Sequence, residues 1–170
     1  MRLLLISCLL ALSTQIYAQD FVNDFLKDIS GSKKEVAKIS ISGKMLQFAS
    51  LVNDESDEEF KELVKNIDKI NIVEGLTLQV NEKNTLEKNW GAYDELMTFS
   101  DGAQYIRMFT REKQGEITEF IMCVEQGGAY TLFNILGKID LKLLSKLSSG
   151  LNMEGMKHLE KVSDKEKTGK

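Results

Sequence analysis

Gln104–Arg111 (QYIRMFTR), Glu116–Glu125 (EITEFIMCVE) and Ala129–Leu136 (AYTLFNIL) are three runs rich in β-branched and aromatic residues. Lys113-Gln114-Gly115 and Gln126-Gly127-Gly128 separate them, and a fourth run, Glu95–Phe99, precedes them, closed by Ser100-Asp101-Gly102. Each separator offers Gly where a tight turn needs positive φ. Connections this short force antiparallel neighbours, so the spacing predicts a four-stranded meander. The last run is apolar on both faces near its middle, which predicts a strand inside the sheet. Met97, Met108 and Met122 lie among Phe99, Phe109 and Phe120 and read as core side chains rather than an adaptable binding surface.

Upstream, the period changes. Asp20–Ile29 places Val22, Phe25, Leu26 and Ile29 on one helical stripe, ended by Ser30-Gly31-Ser32. Glu35–Ile41 alternates as a half-buried strand. Ser42 is an N-cap for a helix over Gly43–Val52, whose inward stripe is expected to be Met45, Phe48, Ala49 and Val52. Phe60, Leu63, Val64 and Ile67 follow at i, i+3, i+4, i+7, and Lys69–Val73 reads as a second strand. A strand, helical crossover and strand in succession predict a right-handed parallel pairing. Asn81–Trp90 is a further helix, with Leu86, Trp90 and Tyr93 facing the core.

Downstream, Gly137 is expected to break the last strand. Asp140 then caps a helix carrying Leu143, Leu144, Leu147 and Leu151. The fold class expected is α+β. One two-layer domain over residues 19–151 has a mixed, mostly antiparallel sheet of about six strands, a βαβ-like unit followed by the meander. Helices lie mainly on one face, and residues 152–170 form a weak helix and polar tail.

Residues 1–18 have the layout of a secretory signal peptide. Arg2 is the positive start, Leu3–Leu12 the apolar stretch, and Tyr17-Ala18-Gln19 offers a small-residue cleavage site. We favour cleavage between Ala18 and Gln19. A membrane span needs about twenty apolar residues, and Ser13, Thr14 and Gln15 end this run well short. No transmembrane segment is expected once the leader is removed. Leu5-Ile6-Ser7-Cys8 has the shape of a lipobox, but Cys8 comes too soon after Arg2 for a normal apolar region, so lipid anchoring through it is not expected. The expected location is periplasmic or secreted.

Charge and cysteine content exclude several classes. The chain carries 22 Lys and Arg against 26 Asp and Glu, net −4, and losing Arg2 makes it one unit more acidic. Such a domain suits neither nucleic acid nor an anionic membrane surface. Of 2 cysteines only Cys123 outlasts the leader, so no intramolecular disulfide and no cysteine metal cluster is expected. The 1 histidine, His158, is too little for most transition-metal sites or a Ser–His–Asp triad. Cys123, within Phe120–Val124, reads as a buried hydrophobe rather than a nucleophile. The run Asp54-Glu55-Ser56-Asp57-Glu58-Glu59 fails the EF-hand register and reads as the acidic opening of a helix. Gly127-Gly128 is a turn, not a phosphate cradle. Glu116, Glu119 and Glu125 share a strand, Glu119 and Glu125 on one face, and the expected state of such strand acids is to be solvated or paired with cross-strand Arg107 or Arg111.

Tyr93-Asp94-Glu95-Leu96-Met97, Ser100-Asp101-Gly102, Arg107, Gly115–Phe120, and Leu136–Leu141 with Leu144 form an ordered set. That set resembles an exported bacterial family, domain of unknown function 4252, over roughly Phe21 to Leu147. The resemblance implies an exported, often lipid-anchored α+β domain of envelope-bearing bacteria. It supplies no catalytic or binding residues. The position of Cys8 departs from the lipidated members.

The function expected is an exported cell-envelope domain that binds another envelope protein or a surface component without catalysis. No catalytic, cofactor-binding or metal residues are assigned, and no cofactor is expected. The alternatives are a carboxylate-dependent enzyme using Glu119, Glu125 or Asp94, and a structural or stress-response protein with no small ligand. The structural alternative expects no exposed apolar patch.

Overall fold

In a computed structural model that describes residues 20–29, 36–52 and 58–140, the meander forms as its turns require. β3 (Asp94–Ser100), β4 (Gln104–Lys113), β5 (Glu116–Gln126) and β6 (Ala129–Ile139) pair antiparallel in sequence order. The β4–β5 turn holds Gln114 at φ 54° and Gly115 at φ 79°, the two successive left-handed residues of a type I′ hairpin.

β1 (Ala37–Ser42) and β2 (Ile67–Thr77) complete a six-stranded sheet of order β1-β2-β6-β5-β4-β3. β6 is therefore interior, as its two-sided apolarity predicted. The parallel pairing expected of the first two strands is corrected: β1 and β2 are antiparallel, with Ile39 opposite Ile72, and so is every other pair. The sheet is not mixed. The reason lies in the connection, which holds two helices, α2 (Gly43–Val52) and α3 (Glu58–Lys65). One helix returns the chain in its original direction; two reverse it.

Gly137 does not end β6 either. The strand continues to Ile139, with Gly137 at φ 136° opposite Ile67, beside an irregularity between Ile67 and Lys69. A Cβ there would meet the Asn66 carbonyl at 2.3 Å. Close backbone approach, not termination, is what this glycine supplies.

Two apolar clusters lie on opposite faces of the sheet. On the first face, α1 (Phe21–Asp28) and α4 (Val80–Asn89) pack with the following 3₁₀ turn (Trp90–Ala92). Phe21, Phe25, Leu86 and Trp90 sit there over Val73 and Leu132. On the second face Met108, Phe120, Met122, Phe133 and Ile135 are buried, and Leu46 of α2 packs against them. The helices thus divide between the faces rather than gathering on one. Met108 and Met122 are core, and Met97 is half-buried beside them, as expected.

α2 forms where predicted, and Ser42 Oγ accepts the Met45 backbone N–H at 3.3 Å as its cap. Its orientation differs from expectation. Met45, Phe48 and Leu51 are 57%, 62% and 71% exposed, while Ser50 is buried and Leu46 half-buried. Gly43 explains the rotation. Its missing side chain lets the helix start against the Ile67 carbonyl, which a Cβ would meet at 1.8 Å. The line Gly43–Leu46–Ser50 then faces inward. The acidic stretch Asp54–Asp57, the helix expected after Asp140, and the expected tail and leader lie outside the described residues.

Candidate functional site

The most developed polar feature lies beneath the N-terminus of α1. β5 turns Glu119 to the first face, where it is 2% exposed. Its Oε1 accepts the Phe21 backbone N–H at 3.0 Å and Asn134 Nδ2 at 2.8 Å. Its Oε2 accepts the Tyr93 hydroxyl at 3.0 Å and faces Arg111 Nη1 at 3.5 Å. A carboxylate has about four acceptor positions, and four donors fill them. Burial raises the Glu119 pKa above the usual carboxylate value, with the Phe21 N–H, Arg111, Tyr93 and Asn134 opposing that rise.

The network extends across the sheet. Asn134 Oδ1 accepts from Asn71 Nδ2 at 3.1 Å, and the two asparagines are register partners on β6 and β2. Asn71 Nδ2 also reaches both Asp20 carboxylate oxygens at 3.2 Å, and Ser40 Oγ donates to Asn71 Oδ1 at 2.7 Å. Asp20 caps α1 by accepting the Asn23 N–H at 3.1 Å and binds Lys69 Nζ at 2.9 Å. Burial pushes the Asp20 carboxyl up, but Lys69, the Asn23 N–H and Asn71 outweigh it and hold the pKa below the usual value.

An aromatic column stands beside this network. Phe21 stacks on Trp90 at 4.6 Å and Trp90 on Phe109 at 4.2 Å, with Tyr93 edge-on to both Phe21 and Trp90. The Arg107 guanidinium caps the column 4.8 Å above Phe109, and the Arg111 guanidinium lies 4.2 Å over Tyr93. A cleft of about 240 Å³ opens here, lined by Phe21, Asp24, Lys88, Tyr93 and Arg111 among others. A second, polar cleft of about 500 Å³ lies at the far end of the sheet, between Glu62, Asn66, Glu112, Glu116 and Lys138.

The carboxylates weighed for catalysis do not converge. Glu119 faces Arg111, its cross-strand partner and one of the two arginines the sequence offered. Glu125 shares its face but lies six residues along β5, about 20 Å away, and pairs with Lys83 at 3.5 Å. Asp94 is exposed at the start of β3, opposite Thr110. Arg107 pairs with Glu87 at 2.8 Å and Glu95 at 3.1 Å, and Lys138 with Glu116. Cys123 is 6% exposed in the first-face cluster, and burial pushes its thiol up to about 12, far from thiolate chemistry. His158 is outside the described residues. Among the described residues no group of His, Cys, Asp or Glu is arranged to hold a metal ion, and no helix is long and apolar enough to cross a membrane.

The residues missed by sequence reading are Asp20, Asn71 and Asn134. A signal existed for the asparagines: each interrupts an apolar run, Ile70-Asn71-Ile72 and Phe133-Asn134-Ile135. A polar amide inside a two-sided buried strand must find a partner, and two such strands can supply it to one another.

Fold and site together define an antiparallel α+β sheet domain clasped by a buried polar network. More particularly, the chain belongs to the family described as Domain of unknown function (DUF4252), whose family model matches residues 30–147. No curated protein and no solved structure matches the chain. α1, at residues 21–28, lies ahead of the matched region.

Proposed function

We propose that this protein is an exported cell-envelope domain that acts as a non-catalytic binding module. It docks another envelope protein or a surface component through the outer ridge of α2. The observation that carries the reading is the exposure of Met45, Phe48 and Leu51 on one short helix, with Ile39 of the edge strand β1 also 51% exposed. Large apolar side chains gathered on one exposed helix are a marker of interaction sites. A purely structural envelope protein is expected to lack such a patch. The leader over residues 1–18 supports export. An enzyme built on carboxylates gains no support from Glu119, whose oxygens are filled by protein donors.

The test is photo-cross-linking in the native envelope, with the cross-linking residue at Phe48 and, as a control, at Glu112 on the far part of β4. The expected result is one specific adduct from Phe48, absent from Glu112. Recovery of monomer alone from both positions would refute the binding reading. Fractionation of the same cells tests export separately, since an uncut chain in the cytoplasm contradicts the leader.

A further inference from the structure

We propose that the first face of the sheet is a receptor groove for an amphipathic helix, and that in trans it takes α1 of a second copy of this chain. The groove is built without α1. Its wall is the Trp90–Phe109 stack, 4.2 Å apart and 7° from parallel, and its floor includes Val73, Leu76 and Leu132. All of these residues lie inside the family match over 30–147, whereas α1 lies outside it.

α1 has the features of a ligand. It is 8 residues long, and a helix below about 12–15 residues is marginal on its own in water. Its helical form is therefore coupled to being seated. Phe21 and Phe25, one turn apart on one face, supply the apolar anchors, in the manner of helix-in-groove recognition. Polar recognition sits at one end. The Phe21 N–H meets Glu119 at 3.0 Å, and the Asp20 carboxylate meets Lys69 at 2.9 Å. Glu119 stays held by Asn134, Tyr93 and Arg111 when that N–H leaves, so the receiving group remains in position.

Six residues, Ser30 to Glu35, join α1 to the residues that lead into β1. Six residues span up to about 20 Å. Reciprocal transfer of α1 between two copies rebuilds every contact described above and needs no new interface chemistry, which is the economy of domain swapping.

The test uses the full chain with Phe21→Ala and Phe25→Ala, which weakens its own α1 but leaves the groove intact. The probe is a fluorescein-labelled peptide of residues 19–29, read by fluorescence anisotropy. Saturable binding is expected, about tenfold weaker when the chain also carries Glu119→Gln. Binding should also be weaker to the wild-type chain, whose own α1 competes. A double variant with a cooperative melt that fails to bind the peptide overturns the proposal. If the double variant does not fold, wild-type chain is titrated with unlabelled peptide. Hydrogen exchange must then show the Phe25 and Ile29 amides losing protection while those of β5 keep it; unchanged protection overturns the proposal. The second-copy assignment is read by native mass spectrometry of wild type across a concentration series. A rising dimer fraction, reversed by excess peptide, supports it, and a monomer at every concentration overturns it.

Discussion

The backbone N–H of Phe21 donates to Glu119 Oε1 at 3.0 Å across 98 positions of sequence, joining the first residue of α1 to the middle of the sheet. Charge-assisted bonds of this kind are strong, and a buried group left without its partner is costly. Glu119→Ala removes the acceptor from Phe21, Asn134, Tyr93 and Arg111 at once. The expected loss is about 3–5 kcal/mol in urea denaturation. Trp90, the only tryptophan, is 5% exposed against Phe21, so its emission should redden at lower urea than the far-ultraviolet circular dichroism transition. A loss below about 1 kcal/mol would mean that the network is not what holds α1.

The meander was legible in the sequence because its determinants are local: alternation along each run and glycines at the turns. The interior place of β6 was legible for the same reason. The rotation of α2 was not, because it depends on Gly43 meeting the Ile67 carbonyl, a contact between residues 24 positions apart. The direction of β2 followed from two helices in the connection, both visible in the sequence but read together as one crossover. Of the site, the sequence offered Arg107 or Arg111 as a cross-strand partner for the acids of β5, and the register of β4 with β5 selects Arg111 for Glu119. Asp20 as the cap that also reaches Lys69 and Asn71 required the tertiary fold.

The ridge on α2 should be nearly neutral for stability. Met45 and Phe48 read as core residues in the sequence, and core truncation of Phe costs about 3–5 kcal/mol. Their exposure predicts instead that Met45→Ser and Phe48→Ser change stability by no more than about 0.5 kcal/mol. Phe25→Ala, at 0% exposure, is the internal comparison and should carry the full core cost. Comparable losses for Phe48→Ser and Phe25→Ala in parallel urea titrations would return the ridge to the core.

Asp20 and Glu119 should pull acid stability in opposite directions. The Asp20 pKa is lowered in the fold, so its contribution is present above the unfolded value of about 3.9 and disappears as pH falls through the folded value. The Glu119 pKa is raised, so its protonated form favours the fold, and that advantage is lost as pH rises from about 4.3 through the folded value. Asp20→Asn should therefore lower stability at pH 7 and flatten its decline below about pH 4. Urea midpoints between pH 2.5 and pH 6 measure this, and an acid limb as steep in the variant as in wild type would assign the decline to other groups.

Three glycines separate close contact from backbone strain. Gly115 sits at φ 79° in a hairpin turn with nothing within 4 Å of an added Cβ. Gly115→Ala should cost only the left-handed penalty, about 1–2 kcal/mol. Gly43 has no such backbone constraint, but its Cβ would lie 1.8 Å from the Ile67 carbonyl oxygen. That neighbour is backbone and cannot rotate away, so Gly43→Ala must push α2 off the sheet, at about 3 kcal/mol. Gly137 combines both, with φ 136° and backbone atoms of Asn66, Asp68 and Ile67 at 2.3, 2.8 and 2.9 Å. It also lies in β6 between β2 and β5, where a shift disturbs two ladders at once. The expected order of destabilisation is Gly115→Ala, then Gly43→Ala, then Gly137→Ala, measured by urea midpoint at constant m-value. If Gly137→Ala cost no more than Gly115→Ala, the strand would have room to move at Asn66. The close approach that carries β6 past Gly137 to Ile139 would then not be what fixes the register with β2.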